Sequence, residues 1–414
     1  MRGALLKVVE EARIHERQVK AALRASPLPE PFFASRFSFS PYMACGHGCA
    51  YCDGRAERYW VEGEFDRDIV ARTNVAERLE RDLARLRERA PVAVGSGISD
   101  AYQPVEARLG LMRRAAEVLL RRGMPASVLT KSALIVRDLD LWREINAAAG
   151  FTLSMSLVFT DDATRRIFEP GASPIEERLA ALGAFKAAGC GVGVYAMPLL
   201  PWISDTPEAL GRLLELCRSA GADFVIPAGL TLRPGRQKEF FLERLAAAFP
   251  DLVPRYRELY GEDRASGACR PAYGRDVSRR FARAVQAAGI ATQVPHRVYR
   301  GRMPLYDELY VLLCHMVELY RQRGTATGRL EGALGRYRGW LAGRKRTFNR
   351  RRSETQAALE EELRAALVAG GMETLLGNSK LAGFLRDVAI ERKVFDYVRL
   401  ELATPGGEGG PSAP

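Results

Sequence analysis

Three cysteines stand within eight residues, in Ser40-Pro41-Tyr42-Met43-Ala44-Cys45-Gly46-His47-Gly48-Cys49-Ala50-Tyr51-Cys52. The chain has seven cysteines in 414 residues. Three at a preset spacing would arise by chance in about two such chains per thousand. Soft thiolates on a short glycine-containing loop select an iron–sulfur cluster or zinc. A closed electron-transfer cluster takes four cysteines, and no fourth lies nearby; three leave one iron open, which is the mark of chemistry rather than structure. The rival is a structural zinc held by Cys45, Cys49, Cys52 and His47, although the paired-ligand knuckle is absent. Cys190, Cys217, Cys269 and Cys314 are scattered singly. Clustered cysteines in an intracellular chain suggest metal before disulfides.

The elements that must hold such a loop follow from the apolar pattern. Short apolar runs expected as strands (36–40, 91–95, 127–130, 151–158, 191–197, 223–228) alternate with amphipathic stretches expected as helices (75–89, 105–122, 139–149, 174–188, 207–220). Repeated βα units imply a parallel sheet with right-handed crossovers, here a partial (β/α)6 barrel, with ligands at the carboxyl ends of its strands. Beyond it the spacing is helical. The fold class expected is α/β, a partial barrel followed by a mostly α-helical C-terminal module. The boundaries expected are an N-terminal helical extension over 1–35, the barrel over 36–235, a barrel-completing α/loop region over 236–300, a basic helical module over 301–403 and a disordered Gly/Pro-rich tail over 404–414.

Composition narrows the class. With 47% apolar and 27% charged residues the chain is globular. It has no apolar run of about 18 residues, which excludes a membrane span. The first residues are charged and lack the apolar core and cleavage site of a signal peptide, so a cytoplasmic location is expected. The net charge of +12 is concentrated. Between Arg321 and Arg352 stand eleven Lys/Arg against one acid, a surplus of ten. Arg336, Arg338, Arg344, Lys345, Arg346, Arg350, Arg351 and Arg352, with Trp340 and Phe348 interleaved, have the composition of a phosphate-binding surface with stacking partners. A solvated basic face or a partner-docking helix are the other readings.

Cys45-x-x-x-Cys49-x-x-Cys52, with aromatic Tyr51 before the last cysteine and a βα array behind it, resembles the radical SAM superfamily. Within it the chain is most similar to the spore photoproduct lyase-like (DNA repair photolyase-like) branch. The shared features are Ser40-Pro41-Tyr42 leading into the cysteines, Ser99-Asp100-Ala101-Tyr102-Gln103-Pro104-Val105-Glu106, Leu129-Thr130-Lys131-Ser132-Ala133-Leu134, and Phe168-Glu169-Pro170 followed by Pro174 and Arg178-Leu179. They cover roughly residues 36–230.

The resemblance implies a 4Fe-4S cluster on Cys45, Cys49 and Cys52, with S-adenosylmethionine (SAM) on the open iron. It implies reductive cleavage to a 5′-deoxyadenosyl radical and a reducing partner that is flavodoxin- or ferredoxin-like. Tyr51 would lie against the cluster or the adenine, with His47 as an outer hydrogen-bond donor. Ser99 and Asp100, after the second strand, would meet the methionyl ammonium, and Lys131 its carboxylate. Ser154 and Ser156, two apart on one strand and so on one face, would meet the ribose. Glu169 is a further candidate, and Met197 stands where the adenine would lie. Lyases of this branch place a cysteine hydrogen donor where this chain has Ile98; Tyr102 and Tyr195 are the candidates left for that role. The expected substrate is a nucleic acid, DNA or RNA. The alternatives are a peptide or small molecule, or a non-enzymatic nucleic-acid-binding protein with a structural or redox-sensing cluster.

Overall fold

Each apolar run becomes a strand and each amphipathic stretch a helix in the computed structural model, which describes residues 12–95, 97–350 and 355–404. The main sheet has seven strands. They are β1 (Arg24–Glu30), β2 (Ser35–Phe39), β3 (Val92–Val94), β4 (Ala126–Thr130), β5 (Phe151–Ser156), β6 (Gly191–Leu199) and β7 (Phe224–Gly229). They lie side by side in chain order, with β1 antiparallel to β2 and every other pairing parallel. The sheet curls into an open half-barrel. Its outer face is covered by α1 (Val75–Leu83), α2 (Leu111–Arg121), α3 (Leu139–Ala148), α4 (Ile175–Ala187) and α5 (Pro207–Ser219).

The two-residue period of β5 shows why inside and outside differ. Phe151, Leu153 and Met155 are buried on one face, with the Phe151 ring 4.5 Å from Trp142 of α3 and 5.6 Å from Phe185 of α4. Thr152, Ser154 and Ser156 point the other way and line the barrel cavity. After β7, α6 (Arg236–Ala248) and α7 (Pro271–Ala288) bring the chain back to the sheet, where Val225 N–H donates to Ala291 O at 2.8 Å.

The N-terminal stretch departs from expectation. Among its described residues there is no α-helix: Arg13–Arg17 is a strand paired in parallel with Asp68–Arg72, and β1 forms the sheet edge. Pro27 and Pro29 lie within β1. A helix interior would lose backbone donors and suffer ring clashes there, whereas an edge strand tolerates both residues. A single 3-10 turn, Pro31–Phe33, then carries Phe32 and Phe33 into the barrel against Tyr195.

The C-terminal half comprises α8 (Leu305–Gln322), α9 (Gly328–Arg350), α10 (Gln356–Val368), α11 (Gly371–Leu376) and α12 (Ser379–Ala389). Thirteen of the residues of α8 are buried, so it is the core of this half rather than an appended helix. The helical spacing expected through 301–403 stops at Ala389, and Val394–Asp396 pairs antiparallel with Glu401–Ala403 instead. Phe395 and Tyr397, two residues apart, are both buried. That spacing suits one face of a strand and would put them on opposite sides of a helix. The tail from residue 405 lies outside the described residues, as do Arg351 and Arg352.

A buried quartet joins the two halves. Lys345 Nζ of α9 lies 2.9 Å from both Glu88 and Asp307, and Arg36 pairs with Glu88 and stands 3.8 Å from Asp307. Two cations offset two carboxylates, which is what makes such burial tolerable.

Candidate active site

The cysteine loop leaves Tyr42–Met43 at the carboxyl end of the barrel and is pinned from several sides. Gln103 accepts from Gly46 N at 2.7 Å and donates to Ala44 O at 3.2 Å. Arg55 donates to Cys49 O (2.9 Å) and Gly48 O (3.0 Å), and its guanidinium lies 3.8 Å from the Phe240 ring centroid. Gln237 donates to Tyr51 O at 3.0 Å. From the far side, Gly171 N donates to His47 O at 2.9 Å, and His47 Nδ1 donates to Gly171 O at 2.9 Å. A Cβ at Gly171 would come within 2.5 Å of Gly46 O, so this approach requires glycine.

Cys45, Cys49 and Cys52 line one end of a cavity of about 720 Å3 that occupies the half-barrel. Burial pushes all three thiols up, Cys49 to about 12. Left to themselves they would stay protonated, so thiolates here need a metal to offset their burial. A lone zinc needs donors roughly 4 Å apart. Among the described residues no three His, Cys, Asp or Glu side chains converge on one ion. The ring nitrogens of His47 meet other partners: Nδ1 donates to Gly171 O, and Nε2 lies 3.2 Å from Asp100 Oδ2 but off the line of a hydrogen bond. Three soft donors around one end of a roomy cavity fit a multi-iron cluster better than a single ion.

The predicted cofactor residues gather at this end. Tyr51, Ser99, Asp100, Lys131, Ser154, Ser156, Tyr195 and Met197 all line the cavity. Lys131 Nζ donates to Ser156 Oγ at 2.7 Å and lies 5.7 Å from the Tyr51 ring centroid. Among the described residues no carboxylate stands within 4.0 Å of it. Ser99 donates to Ala44 O at 2.9 Å and Ser156 to Met197 O at 3.3 Å.

Two placements differ from expectation. Asp100 is a fastener: it accepts from Tyr102 N (2.8 Å), Thr130 Oγ1 (2.7 Å) and Lys131 N (2.7 Å). Burial works to raise its pKa, but His47 and these donors win and hold the carboxyl at about 2. With its lone pairs committed, it has little to offer an ammonium. Tyr102 is buried behind the sheet, donating to Asp138 at 3.0 Å and accepting from Trp142 at 2.8 Å. It does not line the cavity, because the Asp100 cap on its backbone turns the chain outward. Tyr195 does face the cavity, though its hydroxyl is given to Phe32 O at 2.7 Å.

Residue spacing did not reveal the support beneath Tyr51. Its hydroxyl donates to buried Glu169, which pairs with Arg178 at 2.6 Å. Arg178 also donates to Ser156 O at 2.9 Å and Ser173 O at 2.7 Å. Burial works to raise the Glu169 pKa, but Arg178 and Lys131 outweigh it and keep the carboxylate charged. The available signal was that Gln103, Glu169 and Arg178 all lie in the quoted motifs. The basic residues of α9 are divided: Lys345 is buried in the quartet, Arg336 donates to Leu375 O at 3.0 Å, and Arg344 pairs with Glu362.

The sequence profile described as the Radical SAM superfamily matches residues 39–216, which run from the end of β2 into α5. A Mycobacterium tuberculosis protein, itself described as uncharacterized, is 37% identical over 253 residues, covering 59% of this chain and 73% of its own. The chain belongs to the radical SAM superfamily. A more distant relative from Methanocaldococcus jannaschii is 23% identical over 234 residues, covering 56% of this chain and 84% of its own. The fold is similar to that of spore photoproduct lyase complexed with dinucleoside spore photoproduct, at TM-score 0.50 and 14% identity, covering 66% of this chain and 79% of that one. The chain is therefore an enzyme that uses a 4Fe-4S cluster and SAM and needs a reductant. The non-enzymatic reading falls with this assignment. Among the described residues no helix is long and apolar enough to cross a membrane.

Proposed function

We propose that Cys45, Cys49 and Cys52 hold the cluster and that the substrate, a nucleic acid, meets the cavity at the carboxyl ends of the strands. The chemistry supplied there when cluster and SAM are bound is reductive cleavage of SAM to a 5′-deoxyadenosyl radical, which takes hydrogen from substrate. The observation that carries this reading is the three-cysteine loop opening onto a cavity whose wall holds Lys131 with, among the described residues, a hydroxyl as its one hydrogen-bond partner. Lys131 is set to receive the methionyl carboxylate, Ser154 and Ser156 the ribose, and Tyr51 packs beside the cysteines on its Glu169–Arg178 support.

Two facts favour nucleic acid: the surplus of positive charge and the likeness of fold to a lyase solved with a dinucleoside photoproduct. Of the basic α9 residues, Arg338, Arg346 and Arg350 are exposed on the proposed surface, Arg336 and Arg344 are tied to Leu375 O and Glu362 at the surface, and Lys345 is buried.

The test begins with anaerobic reconstitution, reduction, EPR with and without SAM, and the 5′-deoxyadenosine yield. The expected result is a SAM-dependent spectrum and a yield abolished in Cys45→Ala. A cluster indifferent to SAM overturns the cofactor assignment. Oligonucleotides are expected to bind in a salt-dependent manner and to raise the yield. A yield that no DNA or RNA changes at low salt would point to a peptide or small molecule.

A further inference from the structure

A second cavity, of about 470 Å3, lies at the opposite end of the barrel from the cysteines. Its wall includes Pro125 and Gly150, the residues just before β4 and β5. Gly150 in its wall and Ser156 at the cysteine end are six residues apart through β5, which separates the two ends by roughly 20 Å. Three arginines line it, Arg89, Arg300 and Arg302. Among the described residues none of the three has a carboxylate within 4.0 Å. By contrast Arg36 pairs with Glu88, Arg137 with Glu106 and Asp138, and Arg178 with Glu169; of the three pocket arginines, Arg89 is exposed and Arg300 and Arg302 are half-buried.

Neutral acceptors take only part of their capacity. Arg89 donates to Gly123 O, and Arg302 donates to Phe151 O and Thr152 Oγ1 at 3.1 Å each. Arg300 gives no side-chain hydrogen bond to any described residue. Each guanidinium has five N–H donors, so most remain open. The two amides in the wall are already committed: Asn146 to Gly189 O and Phe151 N, Gln356 to Arg89 N and Glu360. Gly150 makes the space that Arg302 occupies, since its φ is +104° and a Cβ there would stand 2.3 Å from Arg302 Nε. Three like charges gathered with no carboxylate of the described residues within 4.0 Å repel one another, and the more distant Asp223 and carbonyl dipoles at the ends of strands and helices offset only a fraction of that. A multiply charged oxyanion would supply the missing compensation, and the planar fork of arginine suits phosphate. The cavity exceeds what a bare phosphate fills and falls within the range of small-ligand sites.

We infer that this floor pocket binds a small phosphorylated ligand through Arg89, Arg300 and Arg302, at the other end of the barrel from the cysteines, although Arg302 and Pro125 also line the floor of the larger cavity. The site is independent of the cluster and of the substrate proposed above. The test titrates the full-length protein with inorganic phosphate at constant ionic strength, following heat and the thermal midpoint, with chloride as control. Saturable binding that raises the midpoint is expected. Arg300→Gln, which breaks no side-chain hydrogen bond or ion pair with a described residue, is expected to weaken it roughly tenfold or more, leaving iron content and the SAM-dependent EPR change intact. Arg89→Gln is expected to act in the same direction. Absence of saturable binding at millimolar phosphate overturns the inference. So does phosphate binding with equal affinity in wild type and Arg300→Gln, which would place the anion elsewhere.

Discussion

Lys131 sets the charge of the reacting end. It stands between the Tyr51 ring and Ser156 with no carboxylate partner among the described residues, so an incoming carboxylate meets a cation that need not first break an ion pair. Lys131→Met is expected to weaken SAM binding roughly tenfold or more while the iron content stays unchanged, as equilibrium binding to the reconstituted protein would show. Equal affinity would mean that the lysine only supports Ser156. At the same scale, Tyr102 and Asp100 show how a motif residue can be structural: both lie in the quoted stretch, yet one hydroxyl is spent behind the sheet and one carboxylate fastens three backbone and side-chain donors.

Between elements, the loop 168–173 closes over the cysteine loop, and the closure depends on Gly171. An alanine there would force its Cβ to 2.5 Å from Gly46 O and 3.0 Å from His47 Cα. Gly171→Ala is expected to lower the iron bound per chain while far-UV circular dichroism stays native, with about 1–3 kcal/mol of stability lost to overpacking. Unchanged iron content would show that the loop yields freely. The contact of α9 with the barrel is decided by Lys345. Removing its charge leaves Glu88 and Asp307 facing Arg36 alone, and Lys345→Met is expected to cost ~3–5 kcal/mol in urea unfolding. A loss under about 0.5 kcal/mol, typical of a surface site, would return this lysine to the phosphate-facing surface.

At the scale of the whole molecule, His315 ties the C-terminal half to the segment that plugs the barrel. Its Nε2 donates to Pro31 O at 2.8 Å, and its Nδ1 accepts from Tyr397 at 2.8 Å. Burial pushes its pKa down to about 4 from an ordinary 6.5. Above pH 6.5 the imidazole is neutral in both folded and unfolded chains, and its contribution is complete. As pH falls from 6.5 towards 4, only the unfolded chain takes up the proton, and stability falls by on the order of 3 kcal/mol from this group. His315→Gln is expected to flatten that part of the stability profile, measured as the urea midpoint at pH 7.5 and 4.5. An unchanged slope would assign the acid sensitivity to other groups.

The six parallel strands and the three-cysteine loop were legible in the residue order, because strand and helix periods and the cysteine spacing are local properties of neighbouring residues. That Ser154 and Ser156 share one face followed from the two-residue period; that this face is the barrel interior came from the fold. What local pattern could not decide was the partner of each polar residue. The charge surplus between Arg321 and Arg352 looked like one surface, yet Lys345 meets Glu88, 257 residues away, inside the fold. The prolines of β1 could be read as helix-breaking, but the strand's place at the sheet edge, and the turn that follows it into the barrel, depend on packing against α8. The floor pocket is of the same kind. Arg89 belongs to one loop and Arg300 and Arg302 to another, and only the closure of the barrel brings their charges together, because electrostatic pairing depends on distance in space rather than along the chain.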